Sequence, residues 1–366
     1  MRLTATYRIR CAAAEIARKA EALAIEQSVE LPLDAIDDRL VLDDIVGRVS
    51  EIEDCSDGSF RVRISLAAST TGNEPGQLMN ILFGNSSLHE DIALEDVQLP
   101  PEMIAAFSGP NAGIAGLRER AGAVARAMTC TAIKPQGLSP EALADLAYRF
   151  ALGGIDFIKD DHTLADQRYS PFAVRVKACA AAARKAASET GHSTRYVPSL
   201  SGNLDQLRDQ VRIARAEGLD TLLITPMVTG LPAFHAIADE NREMAFLAHP
   251  ALGGAARIAP PLLFGKLFRL FGADAVIFPH HGGRFGYSID TCRAIADAAR
   301  KPWGRLDRAV PVPAGGMTLD RLGEILDFYG PDTMILIGGG LLKARKRLTE
   351  ESAIFVRRVA ALSEGE

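Results

Sequence analysis

The spacing of apolar residues divides the chain into two parts. In residues 1–107, apolar and polar positions alternate over residues 3–9 and 60–66, a period typical of half-buried strands. Residues 12–26 and 77–83 instead show the spacing of amphipathic helices. Strands and helices in this order predict an α+β domain at residues 1–107.

A second pattern begins near residue 108, where one unit recurs along the chain. Each unit is a short apolar strand, a loop with glycine, proline or polar residues, and an amphipathic helix. Eight such units with continuously apolar strands favour a closed parallel (β/α)8 TIM barrel over an open sheet. We predict this barrel at residues 108–345, followed by a C-terminal helix at residues 346–366. The predicted barrel strands cover residues 128–134, 155–161, 194–200, 221–227, 244–249, 275–279, 309–313 and 333–337.

Composition narrows the possible functions. The 366 residues carry 41 Lys and Arg against 46 Asp and Glu, and this net charge of −5 offers no basic surface for nucleic acid. No apolar run reaches the roughly 18 residues of a membrane span, and the charged N-terminus lacks the apolar core of a signal peptide. The five cysteines are scattered and lack metal-binding spacing. We expect a cytoplasmic protein that binds a small molecule and neither nucleic acid nor membrane.

Polar residues and glycines gather where the predicted barrel strands end. Active sites of (β/α)8 barrels are assembled at the C-terminal ends of the strands, so we expect these residues to form one site. They are Lys134 after the first strand, Lys159, Asp161 and His162 after the second, His249 after the fifth, Arg284 in the loop after the sixth, Gly315 and Gly316 after the seventh, and Gly338 and Gly339 after the eighth.

Three of these side chains have both a chemical and a structural interpretation. Lys159 lies beside carboxylates, so it either forms an ion pair or stays neutral, takes up CO2 as a carbamate and provides an oxygen ligand for Mg2+. Lys134 is either a base acting on a carbon next to a carbonyl or a partner in a salt bridge. His249 either contacts the substrate or is a hydrogen-bonded core histidine.

The glycine clusters and two loops leave similar alternatives. The glycines at 315–316 and 338–340 either cradle a phosphate with bare backbone N–H groups or serve tight turns. The loop at residues 280–286 either closes over a ligand or is a static surface loop. The small polar segment 68–73 has the composition of an ordinary turn.

Several motifs together resemble ribulose-bisphosphate carboxylase (RuBisCO) and its non-carboxylating relatives, the RuBisCO-like proteins. The resemblance spans about residues 1–345. It implies a ferredoxin-like N-terminal domain, a (β/α)8 barrel and a homodimer in which Asn85 of one subunit completes the neighbour's site. The motifs that carry it, in family order, are LFGNS at residues 82–86, AIKP at 132–135, GGIDFIKDDH at 153–162, PAGG at 313–316 and the glycines at 338–340.

The resemblance also implies roles for individual residues. Lys159 would be carbamylated and would hold Mg2+ together with Asp161 and the residue at 162. Lys134 matches the base that removes the proton in enolisation, and His249 matches an active-site histidine. Some residues match the binders of one phosphate, and we place others beside them as substrate contacts. Together these residues are Gly315, Gly316, Gly338, Gly339 and Arg284.

The chain departs from the RuBisCO pattern at positions that affect the reaction. His162 replaces a glutamate, so it is either a nitrogen ligand that also suits Mn2+, Fe2+ or Zn2+, or a supporting or acid/base group. Pro250 replaces the arginine that would bind a second phosphate group. We therefore expect the substrate to carry only one phosphate. Ala68 replaces an acidic residue, and Arg284 replaces the lysine of the loop after strand six. We therefore expect no CO2 fixation on ribulose bisphosphate.

These features predict an enzyme that forms a metal-stabilised enediolate from a sugar-phosphate monoester. We favour decarboxylation or hydrolytic carbon–carbon cleavage of a 3-oxo sugar-acid phosphate such as 3-oxo-isoapionate 4-phosphate, because methionine-salvage enolases keep the glutamate that His162 replaces. Arg284 is the candidate contact for the carboxylate of such a substrate. One alternative is an isomerase or enolase of methylthio-sugar phosphates, acting on 5-methylthioribulose 1-phosphate or 2,3-diketo-5-methylthiopentyl 1-phosphate. Another is a non-enzymatic sugar-phosphate-binding protein, which the retention of Lys134, Lys159 and Asp161 argues against.

Overall fold

The computed structural model describes residues 1–364, which form two compact units. The first unit comprises Met1–Ser108 together with two short segments, Leu252–Leu263 and Trp303–Leu306. The second unit comprises Gly109–Ala251, Phe264–Pro302 and the chain from Asp307 onward. The apolar pattern did not indicate the two short segments, because each is too brief to show a period of its own.

The first unit is an antiparallel sheet with helices between its strands. Its strand order is 2-3-1-4, which gives the βαββαβ topology of a ferredoxin-like domain, as the resemblance implied. Alternate residues of the first strand, Leu3, Ala5, Tyr7 and Ile9, are fully buried, as their period of two predicts. In chain order the elements are β1 (Arg2–Arg10), α1 (Ile16–Glu26), β2 (Arg48–Asp54), β3 (Ser59–Ala67), α2 (Pro75–Phe83), β4 (Ile92–Gln98) and α3 (Pro101–Ala106).

The second unit contains eight parallel strands in two four-stranded arcs. The strands are β5 (Met128–Ile133), β6 (Phe157–Asp160), β7 (Arg195–Val197), β8 (Thr221–Ile224), β9 (Ala245–Ala248), β10 (Ala275–Pro279), β11 (Val310–Ala314) and β12 (Met334–Leu336). Parallel pairing joins β12-β5-β6-β7 and β8-β9-β10-β11. One seam is closed by the Leu223 N–H, which donates to the Pro198 carbonyl at 2.9 Å. At the other, the Thr333 hydroxyl donates to the Pro311 carbonyl at 2.8 Å. The predicted (β/α)8 barrel is confirmed.

Helices precede, separate and follow the barrel strands. They are α4 (Gly113–Ala121), α5 (Pro140–Leu152), α6 (Phe172–Thr190), α7 (Leu204–Ala216), α8 (Pro226–Thr229), α9 (Leu231–Glu240), α10 (Phe268–Leu270), α11 (Ile289–Arg300), α12 (Leu322–Tyr329), α13 (Gly339–Leu342) and α14 (Leu348–Glu364). The predicted C-terminal helix corresponds to α14, and its last two predicted residues, 365 and 366, lie outside the described part of the chain. None of the helices described is long and apolar enough to cross a membrane.

Shorter helical segments supplement these elements. The amphipathic helix expected between the predicted strands at residues 244–249 and 275–279 is mostly a π-helix, Pro261–Leu267, followed by the short α10. There Gly265 lies so close to α11 that a Cβ atom would be 2.5 Å from the Cβ of Ala298. The π-helical segments are Val41–Ile45 and Pro261–Leu267, and the 3-10 segments are Leu33–Ala35, Ala68–Thr71, Asn85–Leu88, Gly253–Ala255, Leu319–Arg321 and Arg345–Arg347.

Every second residue of the barrel strands points into the barrel. A single buried apolar cluster contains Cys130 of β5, Phe157 of β6, Leu247 of β9 and Leu336 of β12. Because side chains alternate between the two faces of a strand, residues two or four places further along continue the inward-facing phase at the C-terminal mouth. The residues in that phase are Lys134, Lys159, Asp161, His249 and Gly338. The apolar core and the predicted site thus share one alternation.

The glycine pair before the charged end of β6 has a packing role. A Cβ atom on Gly153 would lie 2.4 Å from the Cβ of Ser352 and 2.8 Å from the Thr349 carbonyl oxygen. Gly154 has a φ of +79°, in the left-handed region that favours glycine. These two glycines therefore allow α14 to pack directly against the turn that begins β6.

Candidate active site

Lys159 carries a buried amine at the C-terminal end of β6. The residue is 3% exposed, and its Nζ donates to the Asp160 carbonyl at 2.9 Å. Burial lowers the pKa of this amine, and the charge of Lys134 lowers it further. A lower pKa enlarges the neutral fraction of the amine, which is the nucleophilic form that carbamate formation requires.

Asp160, the next residue, points to the opposite face of β6 and is fully buried. Its carboxylate accepts hydrogen bonds from Arg175 Nε at 3.1 Å, from the Tyr196 hydroxyl at 2.7 Å and from the Ser199 N–H at 3.1 Å. A buried carboxylate with three partners holds its strand firmly in place. Asp160 therefore fixes the end of β6, while Asp161 faces the site.

Asp161 is held by groups from two loops. Its Oδ2 lies 2.8 Å from Lys134 Nζ, and its Oδ1 accepts from the Thr163 N–H at 3.1 Å and the Thr163 hydroxyl at 2.7 Å. Burial alone would raise the pKa of Asp161, but the bonds from Lys134 and Thr163 and the Lys159 charge hold it well below its usual range. The salt-bridge interpretation of Lys134 is therefore seen directly, and it brings the ends of β5 and β6 together.

His162 and His249 stack face to face across the mouth. Their ring centroids are 3.8 Å apart and the ring planes differ by 10°. Burial lowers the pKa of both imidazoles, that of His249 to about 2, so both are neutral. His249 Nδ1 accepts the Ala251 N–H at 3.2 Å, which leaves Nε2 to carry the proton of the neutral ring. His249 is thus an N–H donor at the site.

Glycines from β11 and β12 lie on the other side of the mouth. A Cβ atom on Gly338 would be 3.7 Å from Lys134 Cε, so this glycine lies directly beside the Lys134 side chain. Gly315 and Gly316 have φ values of +90° and +100°, which favour glycine. The Arg284 N–H donates to the Gly315 carbonyl at 3.1 Å. The structure therefore places the loop after β10 against the glycines after β11.

The Arg284 side chain is exposed, and its guanidinium lies over the Phe285 ring at 4.7 Å from the centroid. Its charge lowers the pKa of His162, with a smaller effect than burial and the charges of Lys159 and Lys134. Arg284 thus lies at the rim of the site rather than in its centre.

Asn85 belongs to the first unit. Its amide donates to the carboxylates of Glu26 at 3.0 Å and Glu30 at 2.9 Å. Its role in a neighbouring subunit of a homodimer stays a prediction.

The loop after β10 holds residues that the sequence did not identify as connected. His280 is fully buried, and its Nδ1 lies 2.9 Å from the Tyr329 hydroxyl. Arg321, from the segment after β11, contacts His280 and forms an ion pair with Glu324. The alternation of β10 does indicate that His280 points away from the barrel interior, because the inward-facing residues of that strand have odd numbers.

An apolar groove with a volume of ≈ 480 Å³ borders Lys134. It lies between the loop after β5, the first turns of α5, and α13. The other residues that line it are Pro135, Leu138, Ala142, Asp145, Leu146 and Leu342. The groove thus provides an apolar surface next to Lys134.

Asp161 and His162 offer donor atoms suited to a divalent cation. The Asp161 Oδ1 and His162 Nδ1 atoms lie 3.3 Å apart, close to the roughly 3 Å that separates neighbouring ligands of an octahedral Mg2+. A carbamate on Lys159 would add an oxygen donor. The donor set fits Mg2+, and the imidazole nitrogen makes it fit Mn2+ or Zn2+ as well.

Comparisons relate this chain to known proteins. Residues 113–344 match the family described as ribulose bisphosphate carboxylase large chain, catalytic domain. The chain is 59% identical over 360 residues to the 5-methylthioribulose-1-phosphate isomerase of Rhodospirillum rubrum, over 98% of this chain and 96% of that protein. It is 34% identical over 274 residues to the 2,3-diketo-5-methylthiopentyl-1-phosphate enolase of Geobacillus thermodenitrificans, over 72% of this chain and 66% of that protein. It matches the crystal structure of a Rubisco-like protein from Rhodopseudomonas palustris with a TM-score of 0.93 and 52% identity, over 100% of this chain and 99% of that one.

Proposed function

Because this chain belongs to the ribulose bisphosphate carboxylase large-chain family, as a non-carboxylating RuBisCO-like protein, we propose that it isomerises 5-methylthioribulose 1-phosphate. The observation that carries the proposal is the position of the Lys134 amine, which lies 2.8 Å from Asp161 and beside Gly338. One amine thus borders both the charged and the glycine-lined parts of the mouth. The 59% identity to an isomerase of this substrate supports the same conclusion.

The chemistry follows from the structure of the proposed substrate. Its name places a phosphate on carbon 1, a ketone on carbon 2 and a methylthio group on carbon 5. The ketone makes the proton on carbon 3 acidic. Removal of that proton gives an enediolate between carbons 2 and 3. Return of the proton to carbon 2, together with transfer of the hydroxyl proton from oxygen 3 to oxygen 2, moves the carbonyl group to carbon 3. Such a reaction needs a base and nearby positive charge or hydrogen-bond donors for the developing oxyanion.

Lys134 is the proposed base. It faces into the site, and its ammonium pairs with Asp161 at the mouth of the barrel. A divalent cation on Asp161 would repel that ammonium and favour the neutral amine, which is the form that accepts a proton. A divalent cation held by Asp161, His162 and a carbamylated Lys159 would supply Lewis-acid charge beside the substrate carbonyl. The neutral His249 donates a hydrogen bond from Nε2 to a substrate oxygen.

The two ends of the substrate fit different surfaces. The phosphate is assigned to the backbone N–H groups of Gly316, Gly338 and Gly339, with Arg284 at the rim. The methylthio group is assigned to the apolar groove beside Lys134, because burial of a thioether against leucine side chains is favourable.

The cleavage of a 3-oxo sugar-acid phosphate, favoured from the sequence, has no support among the relatives described above. Its candidate carboxylate contact, Arg284, lies over Phe285 at the rim. The methylthio-sugar alternative is better supported, and within it the enolase relative is more distant, at 34% identity, than the isomerase relative at 59%.

The test is turnover of purified protein with Mg2+ and bicarbonate on three phosphates in parallel. They are 5-methylthioribulose 1-phosphate, 2,3-diketo-5-methylthiopentyl 1-phosphate and 3-oxo-isoapionate 4-phosphate. We expect an isomer of the first compound with its carbon skeleton intact. Ribulose 1-phosphate, which lacks the methylthio group, is the control for the groove and should have a higher KM. Turnover of only the second or third compound would reject the isomerase.

A further inference from the structure

A cluster of charged and polar side chains lies behind the glycines of β11. Arg321 Nε and Nη2 donate to the two carboxylate oxygens of Glu324 at 2.9 and 2.6 Å. Arg321 Nη2 also lies 3.4 Å from His280 Nε2, while His280 Nδ1 lies 2.9 Å from the Tyr329 hydroxyl. The arginine is therefore fixed from two sides, by a forked carboxylate and by a buried imidazole.

The same cluster has the composition of a metal site, but a cation is already present there. Ligand atoms of His280, His281 and Glu324 lie within 4.8 Å of one another. The Arg321 guanidinium occupies this space and contacts both His280 and Glu324. A metal ion would have to displace this guanidinium, so the resident cation of the cluster is Arg321.

Arg321 also donates hydrogen bonds to the backbone of the loop after β10. Its Nη1 donates to the Gly282 carbonyl at 3.3 Å and its Nη2 to the His281 carbonyl at 3.4 Å. A Cβ atom on Gly282 would lie 3.1 Å from Arg321 Nη2, and Gly282 has a φ of +67°. A side chain at residue 282 would crowd the guanidinium and strain the left-handed backbone.

The loop that Arg321 holds in turn orients the glycines that follow β11. The His280 N–H donates to the Ala314 carbonyl at 2.9 Å, and the Arg284 N–H donates to the Gly315 carbonyl at 3.1 Å. In a trans peptide the C=O and N–H groups point in opposite directions. A Gly315 carbonyl fixed on Arg284 therefore turns the Gly316 N–H away from this loop.

We propose that Arg321 is a positioning residue for phosphate binding, which acts by holding the loop after β10 so that the Gly316 N–H faces the substrate phosphate. This inference rests on the proposed function for its choice of substrate. It requires no contact between Arg321 and the substrate. Its effect on binding is transmitted through the peptide between Gly315 and Gly316.

The experiment compares Arg321→Met with Arg347→Met as a matched control. Arg347 forms the same type of pair three residues along a helix, with its Nε 2.9 Å from Glu350 Oε2, on an exposed surface. Inorganic phosphate binding is measured by calorimetry, and KM and kcat are measured with 5-methylthioribulose 1-phosphate. We expect Arg321→Met to weaken phosphate binding and raise KM by about tenfold, with kcat within about twofold. Arg347→Met should change neither.

Unchanged phosphate affinity in Arg321→Met would overturn the proposal, as would a loss of kcat at constant KM. If Arg321→Met does not fold, Arg321→Lys decides, because lysine keeps the charge but loses the fork. Weaker phosphate binding in that variant supports the proposal, and unchanged binding overturns it. Phosphate binding does not depend on the isomerase assay, so a wild-type protein that binds phosphate without isomerising the sugar rejects the proposed function alone.

Discussion

The mouth of the barrel has two sides that are built differently. The charged side consists of Lys134, Lys159 and Asp161 at the ends of β5 and β6, and the glycine side consists of Gly315, Gly316, Gly338 and Gly339 after β11 and β12. On the charged side, strand alternation aims the side chains and buried partners hold them. On the glycine side, the glycines have no side chains of their own to hold the backbone, and the loop after β10 bonds to it instead. In a site made of side chains, the strands that carry them determine the geometry. In a site made of backbone N–H groups, the geometry depends on the loops packed against it.

The largest expected effect is on the charged side, at the buried amine. Lys159→Met should lower kcat by at least about a thousandfold, because it removes both the amine that forms the carbamate and one ligand of the cation. The matched control is Lys301→Met, since that side chain is 73% exposed and lies on the surface. The measurement is kcat at saturating Mg2+ and bicarbonate. Near-normal turnover of Lys159→Met would remove this residue from the mechanism.

A second change on the charged side separates the base from the cation site. Lys134→Met should lower kcat by about a hundredfold to a thousandfold, because the proposed proton acceptor is lost. Inorganic phosphate should still bind within about threefold of the wild-type affinity, since the glycine side is intact. The measurements are kcat and phosphate binding by calorimetry. Retained turnover would assign the base to another group.

The glycine side should respond through binding rather than rate. Gly316→Ala places a side chain at a φ of +100°, so the backbone must rotate and the N–H loses its direction. KM should rise by about tenfold while kcat changes little. Gly323→Ala is the control, because a Cβ atom there has no neighbouring atom within 4 Å. A fall in kcat without a change in KM would contradict the difference between the two sides.

The smallest expected effect concerns pH and the histidine behind the glycine side. Burial, His281 and Arg321 lower the pKa of His280 to about 4, and Glu324 opposes them. A histidine whose pKa is lower in the folded state stabilises the fold above its unfolded pKa of about 6.5, and this contribution is lost as the pH falls towards 4. His280 should therefore contribute about 1 kcal/mol to the drop in the free energy of unfolding between pH 6.5 and 5.5. His280→Gln should remove this part of the drop, measured by urea unfolding, and an identical pH dependence in the variant would contradict the assignment.

The position of the charged side chains at the mouth follows from the sequence, because one alternation sets both the core residues and the residues beyond them. Phe157 faces the apolar core, so Lys159 and Asp161 two and four residues later face the mouth. The same alternation turns Asp160 towards Arg175 and Tyr196, contacts that join residues far apart in the chain and have no local signal. The barrel and the ferredoxin-like topology followed from periodicity and resemblance.

The sequence was less informative about the glycine side. The sequence places His280 in a loop with two interpretations, closure over a ligand or a static surface loop, whereas the structure buries its ring against Tyr329. Arg321 lies about forty residues further along the chain and belongs to no motif. Its contacts with Gly282 and Glu324 depend on how two loops meet, which apolar spacing does not encode.

The most direct test of the central claim is proton and carbon NMR of the protein with 5-methylthioribulose 1-phosphate, Mg2+ and bicarbonate in D2O. An isomerase that works through an enediolate will place deuterium on a carbon next to the carbonyl and yield a new ketose phosphate with its skeleton intact. Both signals should disappear in Lys134→Met. Release of CO2 or of two fragments, or an unchanged substrate without deuterium, would contradict the account.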